Sequence, residues 1–303
     1  MFLVLLMQLL YGCTFTISKI LIGFSSPIFV IGIRMVIAGA ILCVLALLLK
    51  KRYRFNRLEW GYIFQISFFG IFLPYTLRYW SQQYLPVIKT AIIYNVAPFG
   101  AFLFSRLLLK ERSSLRKWMG LCVGFCAIVP ILIDDRHVGG NAFGFISWPE
   151  LAMLGAVFSF SYSWVIMKKL VTRNRTSPII LNGISMLIGG VCALMSSFSL
   201  ETNHTLSNPT QFFLWLALII IITNMICYNL YAYLLTKHSA TLLSLAGLMA
   251  PFSAGITSWL YFGEALTWKS AISATFVLVG FIIFYYEELR HAGQILIEDI
   301  EEE

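Results

Sequence analysis

Long apolar runs separated by short polar links make up most of this chain. Each run has about 20 residues, the length that an α-helix needs to cross the hydrocarbon core of a bilayer. Ten runs of this kind are found, and we expect each to form a membrane-spanning helix. Their approximate bounds are 1–22, 28–49, 60–81, 86–108, 115–133, 148–167, 178–198, 212–235, 239–261 and 267–286.

The composition supports an all-α polytopic membrane protein. Charged residues make up 12% of the 303 residues, hydrophobic residues make up 59%, and the mean hydropathy is +0.82. A soluble domain has too few polar residues at this composition to cover its apolar surface. The first run, 1–22, has neither a basic leading segment nor a small-residue cleavage site. We therefore expect a retained span rather than a signal peptide.

The basic residues predict the orientation of the spans. With ten spans, both termini lie on the same side of the membrane. If that side is cytoplasmic, sixteen Lys and Arg residues fall in inner links and only Lys89, Arg136 and Lys269 fall in outer links. The positive-inside rule selects this orientation, with both termini cytoplasmic, in what we expect to be a bacterial inner membrane. The net charge of +8 does not indicate nucleic-acid binding, because the basic residues are confined to these short links.

The two halves of the chain resemble each other. Val96-Ala97-Pro98 and Met249-Ala250-Pro251 lie 153 residues apart, and each proline is followed thirteen residues later by a glutamate. At the same offset, Tyr75 aligns with Tyr228. The alternative is a chance similarity of short stretches in apolar sequence.

Five spans in each half mean that the second half enters the membrane from the opposite side. We therefore expect two inverted five-helix repeats, at 1–135 and 148–287, and an acidic cytoplasmic tail at 288–303. Inverted repeats are typical of alternating-access carriers, whose substrate site lies between the halves.

Several stretches resemble the EamA-type members of the drug/metabolite transporter superfamily. They are Ile33-Arg34-Met35 with Ala38-Gly39-Ala40, Lys110-Glu111-Arg112, Lys117-Trp118-Met119-Gly120, and Ala250-Pro251 with Phe262-Gly263-Glu264-Ala265-Leu266-Thr267. The departures are Ala127, where a glycine is usual, and Arg78 in the third span. The resemblance covers nearly the whole chain and implies ten helices around a central cavity, with alternating access for small metabolites.

Within that superfamily, the Arg-Met pair of the second span and the aromatic-rich third span resemble S-adenosylmethionine transporters of intracellular bacteria. This resemblance places S-adenosylmethionine among the candidate substrates, beside amino acids and nucleotide-like solutes.

Charged and aromatic residues within the spans are the candidate substrate-binding residues. Intramembrane charge is costly and is typical of functional sites. Arg34 is the leading candidate, because a guanidinium can bind a carboxylate or phosphate through two parallel hydrogen bonds. The alternatives for Arg34 are a partner for helix-end carbonyls or a gate residue. Tyrosine and tryptophan rings could stack on a purine and attract a sulfonium or ammonium group. The full set is Lys19, Arg34, Tyr75, Arg78, Tyr79, Asn95, Trp164, Asn224, Tyr228 and Tyr231.

Two prolines are candidate hinges. Pro98 and Pro251 occupy corresponding positions of the two halves, and proline leaves a backbone carbonyl without its helical hydrogen-bond donor. The alternative is that the freed backbone carbonyls form a polar site within the spans.

Other functional classes are less well supported. The four histidines lie in or beside loops, no span contains an acidic pair, and no Gly-x-Ser-x-Gly motif occurs, so an intramembrane enzyme is not expected. All six cysteines lie in apolar runs without nearby metal ligands, so we expect free thiols and neither metal nor cofactor. The absence of an acidic residue at mid-span favours a facilitator or exchanger. A proton-coupled exporter and a membrane receptor or scaffold remain the alternatives.

Overall fold

The computed structural model describes most of the first 264 residues. The continuous described ranges are 2–50, 55–109, 146–173, 176–202, 204–237 and 250–264, and the isolated positions are 119, 120, 123, 243, 247, 268, 272, 275, 276, 279, 282 and 283. The predicted spans 115–133 and 267–286 fall outside the continuous ranges, as do Glu111 and the beginning of span 239–261. The predicted tail 288–303 is outside the described residues altogether.

Every element of the described chain is a helix. The α-helices are α1 (Phe2–Ile22), α2 (Pro27–Leu48), α3 (Arg57–Ile66), α4 (Leu73–Gln82), α5 (Val87–Tyr94), α6 (Ala97–Leu109), α7 (Trp148–Arg173), α8 (Pro178–Leu200), α9 (Pro209–Ile219), α10 (Tyr228–Leu234) and α11 (Ala250–Phe262). Two π-helical segments, Ser67–Phe72 and Ile220–Cys227, join α3 to α4 and α9 to α10.

Six of the described helical segments are long and apolar enough to cross a bilayer. They are Leu3–Ile22, Pro27–Leu48, Val87–Leu108, Trp148–Thr172, Pro178–Leu200 and Pro209–Leu234. Large apolar side chains, including Leu47, Leu200 and Trp259, are exposed on the outside of the bundle. A lipid environment explains these exposed side chains, because hydrocarbon imposes no cost on apolar surface. The chain is therefore a polytopic, all-helical integral membrane protein.

The third predicted span is not a uniform α-helix. Pro74 has no N–H, and its ring would clash with the carbonyl of Gly70 in a regular α-helix. The structure places the wider π-helical turns of Ser67–Phe72 immediately before this proline. The other π-helical segment begins 153 residues later and immediately precedes Tyr228. Widened turns of this kind are frequent at functional sites.

The fourth predicted span, 86–108, is two helices rather than one. Helix α5 ends at Tyr94, and α6 begins at Ala97. Asn95 and Val96 form tight turns through N–H bonds to the carbonyls of Ile92 and Ile93. The break lies at the position where Pro98 removes the N–H that would bond to Tyr94.

Helices α2 and α8 make the most extensive helix pair in the described chain. Glycines permit this close approach. A Cβ atom added to Gly39 would lie 2.7 Å from the backbone nitrogen of Leu187, and one added to Gly190 would lie 2.8 Å from that of Val36. Contacts this short leave no space for a side chain, so small residues set the distance between the two helices.

The helices run back and forth between two ends of the bundle. At one end, called here the Lys19 end, Lys19 contacts the carbonyl of Leu85 and the carboxylate of Glu264. At the other, called the basic end, Lys169 contacts the hydroxyl of Tyr62.

Candidate functional site

Arg34 lies about a third of the way along α2 and is almost completely buried, with 1% of its surface exposed. Its Nε donates to the side-chain oxygen of Asn224 at 2.9 Å, and Nη1 donates to the hydroxyl of Tyr79 at 2.7 Å. The guanidinium carbon lies 5.1 Å from the ring centroid of Tyr75. Its Nη2 has no hydrogen-bond partner. The guanidinium is thus held firmly but retains an unused donor.

Arg78 is a second buried guanidinium, projecting from α4. It lies 3.9 Å from the ring centroid of Phe15, and its Nη2 donates to the hydroxyl of Ser18 at 3.3 Å. Its Nε has no hydrogen-bond partner. The Ser18 hydroxyl in turn donates to the side-chain oxygen of Gln82. Neutral groups therefore surround this cation.

No carboxylate among the described residues forms an ion pair with Arg34 or Arg78. The two ion pairs found among those residues involve Lys19 and Lys89 instead. A buried charge without a counter-ion is costly, because burial removes its hydration without a Coulombic return. Arg34 and Arg78 therefore create an electropositive centre in the bundle that an anionic group would complete.

Buried aromatic side chains surround this centre. The ring of Tyr94 packs against the rings of Tyr11, Phe15 and Trp164, with centroid distances of 5.9, 5.4 and 6.2 Å. The ring centroids of Trp164 and Tyr231 are 4.8 Å apart. These contacts join aromatic residues from α1, α5, α7 and α10 into one cluster.

Tyr75 and Tyr228, which correspond at the 153-residue offset, meet in this cluster. Their hydroxyls lie close enough to interact, but neither makes a hydrogen bond of normal geometry. The buried hydroxyls of Tyr11 and Tyr94 also lie close enough to interact with each other, without a hydrogen bond of normal geometry. Buried polar groups usually have well-formed hydrogen bonds, so these two hydroxyl pairs can rearrange to bind a solute.

A cavity of about 40 Å³ adjoins the aromatic cluster. This volume holds a few water molecules, so a larger solute requires the surrounding helices to move apart. Much of its wall is apolar or aromatic, and its polar contributions include Gln8, Ser163 and Asn182. The aromatic lining residues are Tyr11, Tyr94, Trp164, Tyr228 and Tyr231.

The predicted binding residues, apart from Lys19, occupy four places. Trp164, Tyr228 and Tyr231 line the cavity directly. Arg34, Tyr75, Tyr79 and Asn224 form one connected group behind Tyr228, and Arg78 lies beside Phe15. Asn95 sits at the break between α5 and α6, where its buried side-chain oxygen has no partner.

Lys19 is separate from the cavity. Its ammonium is held by Glu264 at 3.0 Å and by the carbonyl of Leu85 at 3.0 Å, at one end of the bundle. In this conformation it is not available to a solute in the cavity.

Several of the residues that line the cavity were not among the candidates from sequence. Tyr11, Gln8 and Asn182 lie within apolar runs, and their polar atoms are the signal by which they could have been found.

Lys89 also differs from expectation. Its place at the start of the fourth span predicts an interfacial lysine, but it is 9% exposed and pairs with Glu150 at 2.6 Å.

The chain matches the model of the EamA-like transporter family in two stretches, residues 1–133 and 147–286. It is 31% identical over 293 residues to a protein of Chlamydia muridarum described as an S-adenosylmethionine/S-adenosylhomocysteine transporter, covering 95% of this chain and 92% of that protein. A protein of Chlamydia trachomatis serovar L2 with the same description is also 31% identical, covering 95% and 90%.

More distant similarities agree in class. An uncharacterized transporter of Bacillus subtilis is 26% identical, covering 86% of this chain and 82% of that protein. A crystal structure with 16% sequence identity superposes with a TM-score of 0.69, covering 93% of this chain and 94% of that one, which indicates a shared fold. The membrane helices and these matches together lead to one conclusion: the chain belongs to the EamA-like transporter family and is an integral membrane transporter.

Proposed function

We propose that this protein carries S-adenosylmethionine and S-adenosylhomocysteine across the membrane by alternating access. The observation that carries the proposal is the pair of buried guanidiniums, Arg34 and Arg78, which lack an acidic partner among the described residues and lie behind an aromatic cavity. A substrate with a carboxylate and an aromatic base suits both features.

The substrate carboxylate interacts with the electropositive centre. The free Nη2 of Arg34 can donate to one carboxylate oxygen, and the hydroxyls of Tyr75 and Tyr228 can donate to the other. Asn224 and Tyr79 hold the Arg34 side chain in place, so little conformational entropy is lost on binding. Charge-assisted hydrogen bonds of this kind are about twice as strong as neutral ones.

The adenosyl group occupies the aromatic cavity, which widens to admit it when the surrounding helices move apart. Tyr94, Trp164 and Tyr231 offer ring faces for stacking on adenine. The same ring faces attract the sulfonium ion of S-adenosylmethionine through cation–π interactions. The protein therefore needs no carboxylate side chain to bind that charge. Because stacking does not depend on that charge, the site accommodates the neutral thioether of S-adenosylhomocysteine as well. The two chlamydial relatives are described as transporters of these same two metabolites.

The proposed architecture consists of ten spans in two inverted five-helix repeats, 1–135 and 148–287, with an acidic tail at 288–303. Support comes from the equal 153-residue offset between the two π-helical segments and between α6 and α11. The positive-inside rule supports cytoplasmic termini in a bacterial inner membrane. Pro98 and Pro251 are the proposed hinges, since each is the second residue of its helix.

Exchange in proteoliposomes tests the substrate. Vesicles loaded with unlabelled S-adenosylhomocysteine should take up labelled S-adenosylmethionine faster than empty vesicles do. Amino acids and nucleotides serve as competitors. If the vesicles take up another solute and neither adenosyl compound changes that uptake, the proposed substrate is wrong. If the vesicles take up no solute, a receptor is favoured.

The Arg34→Ala variant tests the carboxylate contact in the same vesicles. We expect a loss of at least about tenfold in apparent affinity, the effect of one charge-assisted hydrogen bond. Arg106→Ala is the matched control, because Arg106 is exposed on α6. Unchanged affinity in Arg34→Ala would exclude this contact.

A further inference from the structure

Three glutamates at the Lys19 end link the two halves of the described chain, residues 2–109 and residues 146–264. Glu150, Glu201 and Glu264 all belong to the second half, and each contacts the first. We call these three residues the gate glutamates. None of them lines the substrate cavity.

Glu264 makes two contacts across this boundary. Its Oε1 pairs with Lys19 at 3.0 Å, and its Oε2 accepts the backbone N–H of Val87 at 2.9 Å. Val87 is the first residue of α5, where backbone N–H groups have no helical partner and the helix dipole favours an anion. Gly263, at φ = 68°, turns the chain after α11 and so positions this carboxylate.

Glu201 binds the beginning of α2 in the same way. Its two oxygens accept the backbone N–H groups of Ile28 and Phe29 at 2.9 and 3.0 Å. Ser197, one helical turn earlier in α8, donates to the same carboxylate at 2.6 Å and orients it. The carboxylate therefore joins the end of α8 to the start of α2.

Glu150 forms the most buried of these links. It pairs with Lys89 at 2.6 Å, and the exposed fractions of the two side chains are 2% for Glu150 and 11% for Lys89. The backbone N–H of Ser147 also donates to it. Removing one partner of such a pair is costly while the other stays buried, but the cost disappears if the remaining charge becomes hydrated. Loss of the pair therefore favours a state in which water reaches this end.

The substrate cavity lies on the opposite side of these links. Its lining includes Met7 and Gln8 near the beginning of α1, and Met167 two residues before Lys169, which contacts Tyr62 at the basic end. The aromatic cluster separates this space from the Lys19 end. Charged contacts thus join the two halves at one end, while the cavity lies toward the other.

We propose that the gate glutamates hold the Lys19 end closed, and that access from this end requires all three carboxylates to separate from α2, α5, Lys19 and Lys89. The inference rests on the proposed alternating access. Lys19, a predicted substrate-binding residue, then belongs to the gate, as does Lys89.

Distances between spin labels test the gate on the full chain. Labels at Tyr84→Cys and Leu200→Cys report the Lys19 end, and labels at Leu49→Cys and Thr236→Cys report the basic end. All four positions are exposed. The labels are introduced into a chain whose native cysteines are replaced and whose uptake matches that of the native chain.

The test variant combines Glu150→Gln, Glu201→Gln and Glu264→Gln, which remove the charges and preserve side-chain shape. We expect a longer-distance population at the Lys19 end, with the open-to-closed ratio raised about tenfold or more, since each change removes a charge-assisted contact. The basic-end distance should shorten. Each single variant should shift the distances in the same direction, which keeps the test decisive if the triple variant does not fold.

Glu59→Gln is the matched control, because Glu59 caps α3 rather than joining α2 or α5 to another helix at the Lys19 end. It should leave the Lys19-end distance unchanged. Equal distributions in the native and gate variants would overturn the proposal, as would an equal shift in the control. The distances are measured without substrate, so a failure to transport S-adenosyl compounds would count against the proposed cargo and not against the gate.

Discussion

Arg34 illustrates a conflict between stability and function at a single residue. Burial of a guanidinium without an acidic partner disfavours the folded state, and the neutral contacts to Asn224 and Tyr79 offset only a fraction of that cost. In the proposed function, such a residue is retained because the substrate supplies the missing anion. Residues that break a rule of folding in this way tend to mark functional sites.

This conflict predicts the effect of Arg34→Met, which replaces the guanidinium with an apolar side chain. We expect the empty protein to become more stable by about 1–4 kcal/mol, because a buried charge is removed. Substrate should raise the melting temperature of the native protein but not that of the variant. Thermal unfolding in detergent, with and without S-adenosylmethionine, measures both effects. A destabilised variant that substrate still stabilises would contradict the assigned role.

At the scale of the helix, irregular segments lie beside the site. The π-helical segment Ser67–Phe72 precedes Pro74 and Tyr75, and the α5–α6 break places Asn95 between two helices. Both irregularities have a proline as their local cause. Interrupted membrane helices are tolerated where neighbouring helices or a cavity satisfy the freed backbone groups.

The break before Pro98 predicts a kinetic effect. Pro98→Ala restores an N–H at this position and allows the fourth span to become more continuous. If Pro98 is a hinge, the exchange rate should fall while the affinity for substrate changes little, and Pro251→Ala should act in the same direction. Initial rates of uptake at varied substrate concentration separate rate from affinity. An equal change in both would argue against a hinge.

The α2–α8 pair predicts a packing effect. Gly39→Val should destabilise the protein by about 3 kcal/mol, because its Cβ would lie 2.7 Å from the Leu187 backbone. Gly61→Ala is the matched control, since an added Cβ there meets no atom within 4 Å. Alanine at this helical position should instead stabilise α3 by about 0.5–1 kcal/mol. Unfolding in detergent distinguishes the two directions.

At the scale of the whole molecule, charge differs between the two ends. Three of the four described glutamates in the continuous ranges lie at the Lys19 end, and exposed basic residues such as Lys50 and Lys237 lie at the basic end. Basic residues favour the cytoplasmic side of the membrane. The Lys19 end is therefore expected to face the periplasm.

This orientation predicts where the termini lie. Reporter proteins that become fluorescent only in the cytoplasm should be active when fused to the C-terminus, and enzymes that require export should be inactive there. A cysteine at Leu200 should react with an impermeant thiol reagent added outside intact cells, whereas one at Thr236 should not. The reverse labelling pattern would contradict the proposed orientation.

The class of protein and the approximate positions of the spans that the structure describes follow from the sequence alone. A helix in lipid satisfies its own backbone groups and needs an apolar surface, so each span leaves a local signal about 20 residues long. The prediction of an all-helical membrane protein is confirmed, as is membership of the EamA-like family. The isolated charge of Arg34 also identified it as a candidate, because charge within a span is rare.

Only the tertiary structure decided which of these residues meet. The partner of Arg34, Asn224, lies 190 residues away in the sequence, and the partner of Lys19, Glu264, lies 245 residues away. No local pattern encodes such contacts, because they depend on how several helices rotate and pack against one another. Lys89 looked like an interfacial lysine in its own span and proved to be half of a buried ion pair. Hydropathy describes the interaction of each helix with lipid, whereas the site is made by the faces that the helices turn toward each other.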